Sequence, residues 1–168
     1  VSNTEANNAV RFEGTRDVGD TTSTVVGNLH RAQITILDGS NVIPRHINKH
    51  IDYSVVPSPA GVKANSLSYP LGMAIDRTGD PLYMAAFGSS KIGVLDTSTR
   101  EDDRFVPDFA NHITLSCGGP TGMVLNESKD ELYVFTRFDN SLIVIDTTDH
   151  SEKQQINLHN PEPAEVVN

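Results

Sequence analysis

Two stretches of this chain, 70–97 and 120–147, are near-copies of one another. Pro70-Leu71-Gly72-Met73-Ala74-Ile75-Asp76 returns as Pro120-Thr121-Gly122-Met123-Val124-Leu125-Asn126. Asp80-Pro81-Leu82-Tyr83-Met84 returns as Asp130-Glu131-Leu132-Tyr133-Val134, and Ile92-Gly93-Val94-Leu95-Asp96-Thr97 as Leu142-Ile143-Val144-Ile145-Asp146-Thr147. Every matched pair lies fifty residues apart, without a gap. Self-similarity at such a period restricts the fold severely. Each copy is one supersecondary unit that cannot bury its own faces and must stack on its neighbours.

Within each copy the order is strand, tight turn, strand, loop, strand. The runs Gly72–Asp76, Leu82–Ala86 and Ile92–Leu95 are apolar, as are their counterparts, and the third is rich in β-branched residues that suit a pleated surface. Arg77-Thr78-Gly79-Asp80 and Asn126-Glu127-Ser128-Lys129-Asp130 are turn chemistry. Each third strand ends on Asp-Thr, whose side chains can bond the following backbone and stop the strand. Asp80 and Asp96 recur as Asp130 and Asp146, so they read as turn and strand-end residues rather than paired catalytic acids. A fourth strand follows at Ile113-Thr114-Leu115 and at Ile156-Asn157-Leu158. This spacing matches the four-stranded antiparallel blade of a β-propeller.

The expected architecture is therefore all-β: a partial propeller with two complete blades, about 70–115 and 120–158, plus partial ones. Ile113 to Pro120 and Ile156 to Pro163 are the same distance apart, so 163–168 reads as the start of a further blade. Upstream, Ile34–Asp38 has the form of a third strand and Val42-Ile43 that of a fourth. Residues 1–29 form a polar N-terminal segment, read as part of a preceding blade, with Val10-Arg11-Phe12 and Thr24-Val25-Val26 as its strand-like pieces; 30–168 is the propeller portion. The connection from about Arg45 to Leu67 is long, and structureless connections of that length in compact domains are usually functional or flexible. So few blades leave sheet faces or edges uncovered. Either the chain is a piece of a longer polypeptide, or its N-terminal portion supplies further strands, or it oligomerises; the first is the leading expectation, which the missing initiator Met and signal-peptide pattern also favour.

Composition removes several function classes. A chain of 168 residues with a net charge of -9 lacks the clustered Lys and Arg that nucleic acid or an anionic membrane surface requires. No apolar run approaches the roughly 20 residues that span a bilayer. The lone Cys117 excludes an internal disulfide framework and a multi-cysteine metal site. There is no G-x-S-x-G elbow, P-loop or G-x-G-x-x-G.

The Pro-x-Gly-Met, Leu-Tyr and Val-x-Asp-Thr elements resemble those of YVTN-type bacterial β-propellers, over about residues 30–168. A narrower resemblance rests on Asn48-Lys49-His50-Ile51-Asp52-Tyr53-Ser54, Pro57-Ser58-Pro59, Ala86-Phe87-Gly88-Ser89-Ser90-Lys91, Thr136-Arg137-Phe138-Asp139-Asn140 and Leu158-His159-Asn160-Pro161-Glu162-Pro163. These are similar to segments of bacterial proteins that join such a propeller to a c-type cytochrome domain. The resemblance implies a periplasmic, extracellular or cell-surface parent with haem c in an adjoining domain. This chain has no C-x-x-C-H, and Cys117 in Ser-Cys-Gly-Gly cannot attach haem, so no cofactor is expected here.

In a propeller, the loop between second and third strands shares one face with the connection between blades. That face would gather Phe87–Lys91, Arg137–Ser141, Ser116–Gly119 and the 46–67 connection, with Lys91, Arg137, Asp139 and Asn140 as candidates for a polar ligand. The plainer alternative is that Gly88, Gly118, Gly119 and Asn140 serve backbone geometry and that Arg137 and Asp139 form a local ion pair. His46 and His50 stand four apart, the spacing of a metal pair on a helix. The flanking Glu of the metalloprotease motif is absent, with Asn48 and Lys49 between the two histidines, and Pro44 and Asp52 disfavour a helix.

The leading expectation is a non-catalytic scaffold or binding module whose partner is an adjoining haem domain or other protein. Two rivals remain: a lactonase-like propeller hydrolase with a metal at the channel mouth, where His46, His50 and Asp139 would converge, and a cell-surface adhesion or assembly module that forms homo-oligomers through open blade edges.

Overall fold

The computed structural model describes residues 1–6, 30–55 and 57–159. The expected strand-like pieces at 10–12 and 24–26 and the partial blade at 163–168 lie outside the described residues. Among these, the chain forms three antiparallel sheets. The first contains β1 (Ser2–Ala6), β2 (His30–Asp38) and β3 (Asn41–His46). The second contains β4 (Pro70–Ile75), β5 (Leu82–Ala86), β6 (Lys91–Leu95) and β7 (Ile113–Thr114), in sequential order. The third, also sequential, contains β8 (Pro120–Asn126), β9 (Glu131–Thr136), β10 (Ser141–Asp146) and β11 (Glu152–Asn157). The all-β, blade-like architecture expected from the repeats is what forms.

The Pro-x-Gly-Met motif has a structural purpose visible in both copies. Pro70 pairs with Ala86 and Met73 with Met84, so three steps along β4 match two along β5; Pro120 and Met123 do the same against Thr136 and Val134. The extra residue bends the inner strand at its glycine. At Gly72 the bend brings β4 against β8: a Cβ there would sit 2.2 Å from the Thr121 carbonyl oxygen. β4 also lies against β1, so the first strands of the three sheets run side by side.

The second sheet is covered on both faces, which explains why Leu82–Ala86 is continuously apolar. Tyr83 and Ala85 face the third sheet in a core with Ile92, Ile113, Cys117, Leu132, Val134, Ile143 and Ile145. Met84 and Ala86 face the first sheet in a second core with Ala32, Ile34, Ile47, Leu67, Leu95 and Phe105. The outer sheets are covered by described residues on one face only. Val124 is 66% exposed, and a Cβ at Gly122 would meet nothing within 4 Å among the described residues.

Three elements differ from expectation. Ser2–Ala6 supplies a strand that has no apolar pattern, and among the described residues it makes β2 and β3 the second and third strands of their sheet rather than third and fourth. β11 begins at Glu152, four residues before the apolar Ile156, because an outermost strand exposed on both sides needs no apolar alternation. The polar segment after Leu95 contains helix α2 (Thr97–Glu101), capped by Asp96, whose carboxylate accepts from the Thr99 backbone N–H. From α2, the buried Arg100 donates through Nη2 to the Arg45 carbonyl at 2.8 Å, while Arg45 Nε donates to the Arg100 carbonyl at 3.0 Å. The first and second sheets are locked by that exchange.

Candidate functional site

The repeat extends into the loops as hydrogen bonds. Phe87 N donates to the Tyr69 carbonyl and Gly88 N to that of Ser68; fifty residues later Arg137 N donates to Gly119 and Phe138 N to Gly118. In each blade, the loop after the second strand is thus zipped onto the connection preceding the first. Ser90 and Asn140 are also counterparts, both at positive φ (51° and 45°). The face expected to gather these loops does gather them.

That shared scaffold carries different side chains in the two copies. Tyr69 sits at φ 55° where its counterpart is Gly119 at φ 69°. An aromatic residue rarely adopts this conformation, and residues that do so are concentrated at functional sites. Tyr69 is 48% exposed and begins a row of rings. His30 meets it edge-on at 6.2 Å, Phe87 lies 6.0 Å beyond, and Phe138 stands 5.1 Å from Phe87. Phe138, 65% exposed, rests on the Ser-Cys-Gly-Gly turn. A Cβ on Gly118 would come within 2.6 Å of its ring, so the glycines of that turn make room for Phe138. Arg137, Tyr69 and Phe87 together line a recess of about 570 Å³ at the end of the row.

A second cavity, about 940 Å³, adjoins the first through Ser68 and Gly88. Its walls come from the β5–β6 loop, the long 46–69 connection, and Phe109 and Thr114. The connection is not structureless: Ile47 and Leu67 are fully buried, and the Asn48 amide donates to the Leu67 carbonyl (2.7 Å) and accepts from the Leu67 N–H (2.8 Å). It also forms a short helix, α1 (Val62–Asn65), whose carbonyls are held by side chains from elsewhere. His50 Nε2 bonds the Val62 carbonyl at 3.1 Å, His112 Nε2 that of Asn65 at 3.1 Å, and the Lys91 ammonium donates to that of Ala64. Lys91 is only 8% exposed, and its Nζ stands 5.4 Å from the centre of the Phe109 ring. Burial lowers its pKa.

The six sequence candidates therefore separate. Lys91 lines the larger cavity and Arg137 the smaller. Asn140 is a turn residue whose carbonyl accepts from Leu158 N, and the Asp139 carboxylate accepts from Gly118 N at 2.8 Å rather than pairing with Arg137. His50 is committed to α1 and Ser66. His46 ends strand β3, with Nε2 buried and without a hydrogen-bond partner among the described residues. Its pKa is lowered by burial and then by Arg31, Lys49 and Arg100. Among the described residues no three His, Cys, Asp or Glu side chains are grouped to hold a metal ion, so His46, His50 and Asp139 do not form the cluster a channel-mouth metal enzyme would use. Sequence reasoning missed Tyr69; its signal was a tyrosine aligned with a turn glycine of the other copy.

The opposite face has its own cavity, about 830 Å³, between the second and third sheets. Two of its carboxylates are occupied locally. Asp76 accepts from Thr78 N, Thr78 Oγ1 and Asp80 N, which also holds its pKa down, and Glu127 accepts from Arg77 N at 2.8 Å. Asp96 and Asp146 likewise accept from Thr99 and Thr148 N–H groups. Asp96 and Asp146 act as turn and strand-end residues, as their recurrence suggested.

Among the described residues no helix is long and apolar enough to cross a membrane. No protein-family profile matches the chain, and neither does any curated protein. Among solved structures the chain is similar to Kuenenia stuttgartiensis hydrazine synthase, with 17% sequence identity and a TM-score of 0.55, over 87% of this chain and 41% of that one. The chain spans about two fifths of that protein's length, and at this identity the likeness extends to the propeller-like fold alone.

Proposed function

We propose that this chain is the non-catalytic propeller portion of an extracytoplasmic bacterial protein, and that its loop face docks an adjoining c-type haem domain. The observation that carries the docking reading is Tyr69, an exposed tyrosine held at positive φ where the other copy has glycine, heading a row with the half-buried Phe87 and the exposed Phe138. Exposed aromatic rings beside an arginine are what protein interfaces use as anchors, because they bury large area at small entropic cost. The haem part of the proposal, and the periplasmic or surface location, rest on the resemblance of the 48–59, 86–91, 136–140 and 158–163 segments.

Outer-edge assembly has less support. β3 carries Pro44 and Arg45, and β11 carries Lys153 in an exposed strand. Proline and lysine on edge strands blunt pairing with another chain.

Two measurements test the proposal. Haem staining of the full-length protein from its native source, together with the sequence following Asn168, should reveal covalently bound haem and a C-x-x-C-H; a parent with neither refutes the haem assignment. Titration of the haem-bearing part against this chain should lose about tenfold in affinity with Phe138→Ala, or about 1.4 kcal/mol. Unchanged affinity refutes docking on the aromatic row.

A further inference from the structure

We propose that the cavity between the 46–69 connection and the β5–β6 loop binds a small organic carboxylate with an aromatic or branched apolar body, anchored by Lys91. The site is independent of what docks on the neighbouring aromatic row. It would take a free metabolite-sized acid rather than a macromolecule.

The argument begins with charge. This chain carries 22 acidic residues against 13 Lys and Arg, yet among the described residues the cavity lining contains Lys63 and Lys91 and not one Asp or Glu. Lys91 is nearly buried and has no carboxylate within 4 Å among the described residues. An ammonium has three donors. The Ala64 carbonyl takes one, and the Phe109 ring face offers only a cation–π contact. A buried cation left without a counter-ion is costly, and burial already disfavours its charged form. Capping α1 explains the first hydrogen bond but not the absence of acid from the wall. His50 and His112 hold neighbouring carbonyls of the same helix without needing a permanent charge.

Shape and polarity then select the ligand. At about 940 Å³ the cavity is at the upper end of the usual range for small-molecule sites. Ile51, Tyr53 and Phe109 offer apolar and aromatic wall, while Ser68 and Ser90 place hydroxyls near the β5–β6 loop. A carboxylate on Lys91 and these hydroxyls would leave an apolar body against the rings. Inorganic phosphate fits poorly: it would need several cations to offset its desolvation, and Arg, the bidentate phosphate binder, is missing from the lining among the described residues. The second copy has Ser141 at the position of Lys91, so the cation is not a requirement of the blade.

The test is an NMR titration of the full chain with benzoate, benzyl alcohol and inorganic phosphate as probes. Benzoate should saturate one site and shift the amides of Tyr53, Ser89, Ser90 and Lys91. Benzyl alcohol and phosphate should bind at least about tenfold more weakly. Lys91→Met should reduce benzoate affinity by about tenfold or more. Should that variant not fold, the shift map of the unmodified chain still decides. Benzoate shifts centred on Asp76 and Thr147 of the opposite face, no saturation, or phosphate binding as tightly as benzoate would overturn the proposal.

Discussion

Gly72 and Gly122 are the same residue of the same motif, yet their surroundings make opposite demands. A methyl group on Gly72 would lie 2.2 Å from the Thr121 carbonyl oxygen and 3.2 Å from its carbon. Relief requires the β4 and β8 backbones to part by about 1 Å, since real contacts of this kind start near 3 Å. Overpacking a core commonly costs about 1–3 kcal/mol, and an obstacle made of backbone puts Gly72→Ala at the upper end, about 3 kcal/mol. At Gly122 a methyl group meets no described atom within 4 Å. There the lower entropy of the unfolded alanine chain leaves Gly122→Ala neutral or more stable by about 0.5 kcal/mol. Urea denaturation of this chain, followed by circular dichroism, should separate the two variants by about 3 kcal/mol, roughly 6–12 °C in Tm for a chain of this size. Equal losses would refute the claim that β4 and β8 meet at the bulge.

Other expectations follow from individual contacts. Burial lowers the pKa of His46 and His112 below the ordinary 6.5. The unfolded chain then takes up these protons first, so their contribution to stability is complete above about pH 6.5 and falls as the pH drops below it. Urea midpoints at pH 7.5 and 5.5 should show that loss, and His112→Gln should reduce it. Tyr69→Gly relieves about 1 kcal/mol of backbone strain while removing exposed ring contacts. The melting temperature should therefore change little while partner affinity falls; an equal loss of both would make Tyr69 structural. Arg100→Ala removes the buried bond to the Arg45 carbonyl and the stacking over Phe105 at 5.1 Å, and should cost about 2–3 kcal/mol in the same urea assay.

Strands β5, β6, β9 and β10 were legible because burial enforces an apolar pattern, and the Asp-Thr ends were legible because turn chemistry is local. Ser2–Ala6 and Glu152–Gln155 were not. Those segments become strands through ladder hydrogen bonds to β2 and β10, and their exposed side chains record nothing of it. Helix α2 was hidden for another reason: Thr97–Glu101 is polar, and the residue that anchors it, Arg100, is a buried cation that sequence patterns place on a surface. At the candidate site, Lys91 and Arg137 could be named from their loops. The engagement of Asp139 with Gly118 could not, because it depends on how two loops close on each other.

The internal repeat also supplies its own control for separating scaffold from site. Where the copies agree, the structure assigns the residue to folding: bulge glycines at 72 and 122, positive φ at 90 and 140, strand-end acids at 96 and 146. Where they disagree within a shared backbone, folding alone cannot have required the choice. Tyr69 against Gly119, Phe87 against Arg137 and Lys91 against Ser141 are three such disagreements, each pair held by the same local hydrogen-bond frame or strand position. All three fall on one face, around two adjoining recesses. A blade needs neither a strained tyrosine nor a buried lysine to close, since its own duplicate closes without them; their clustering is therefore the strongest physical reason to look for binding on that face.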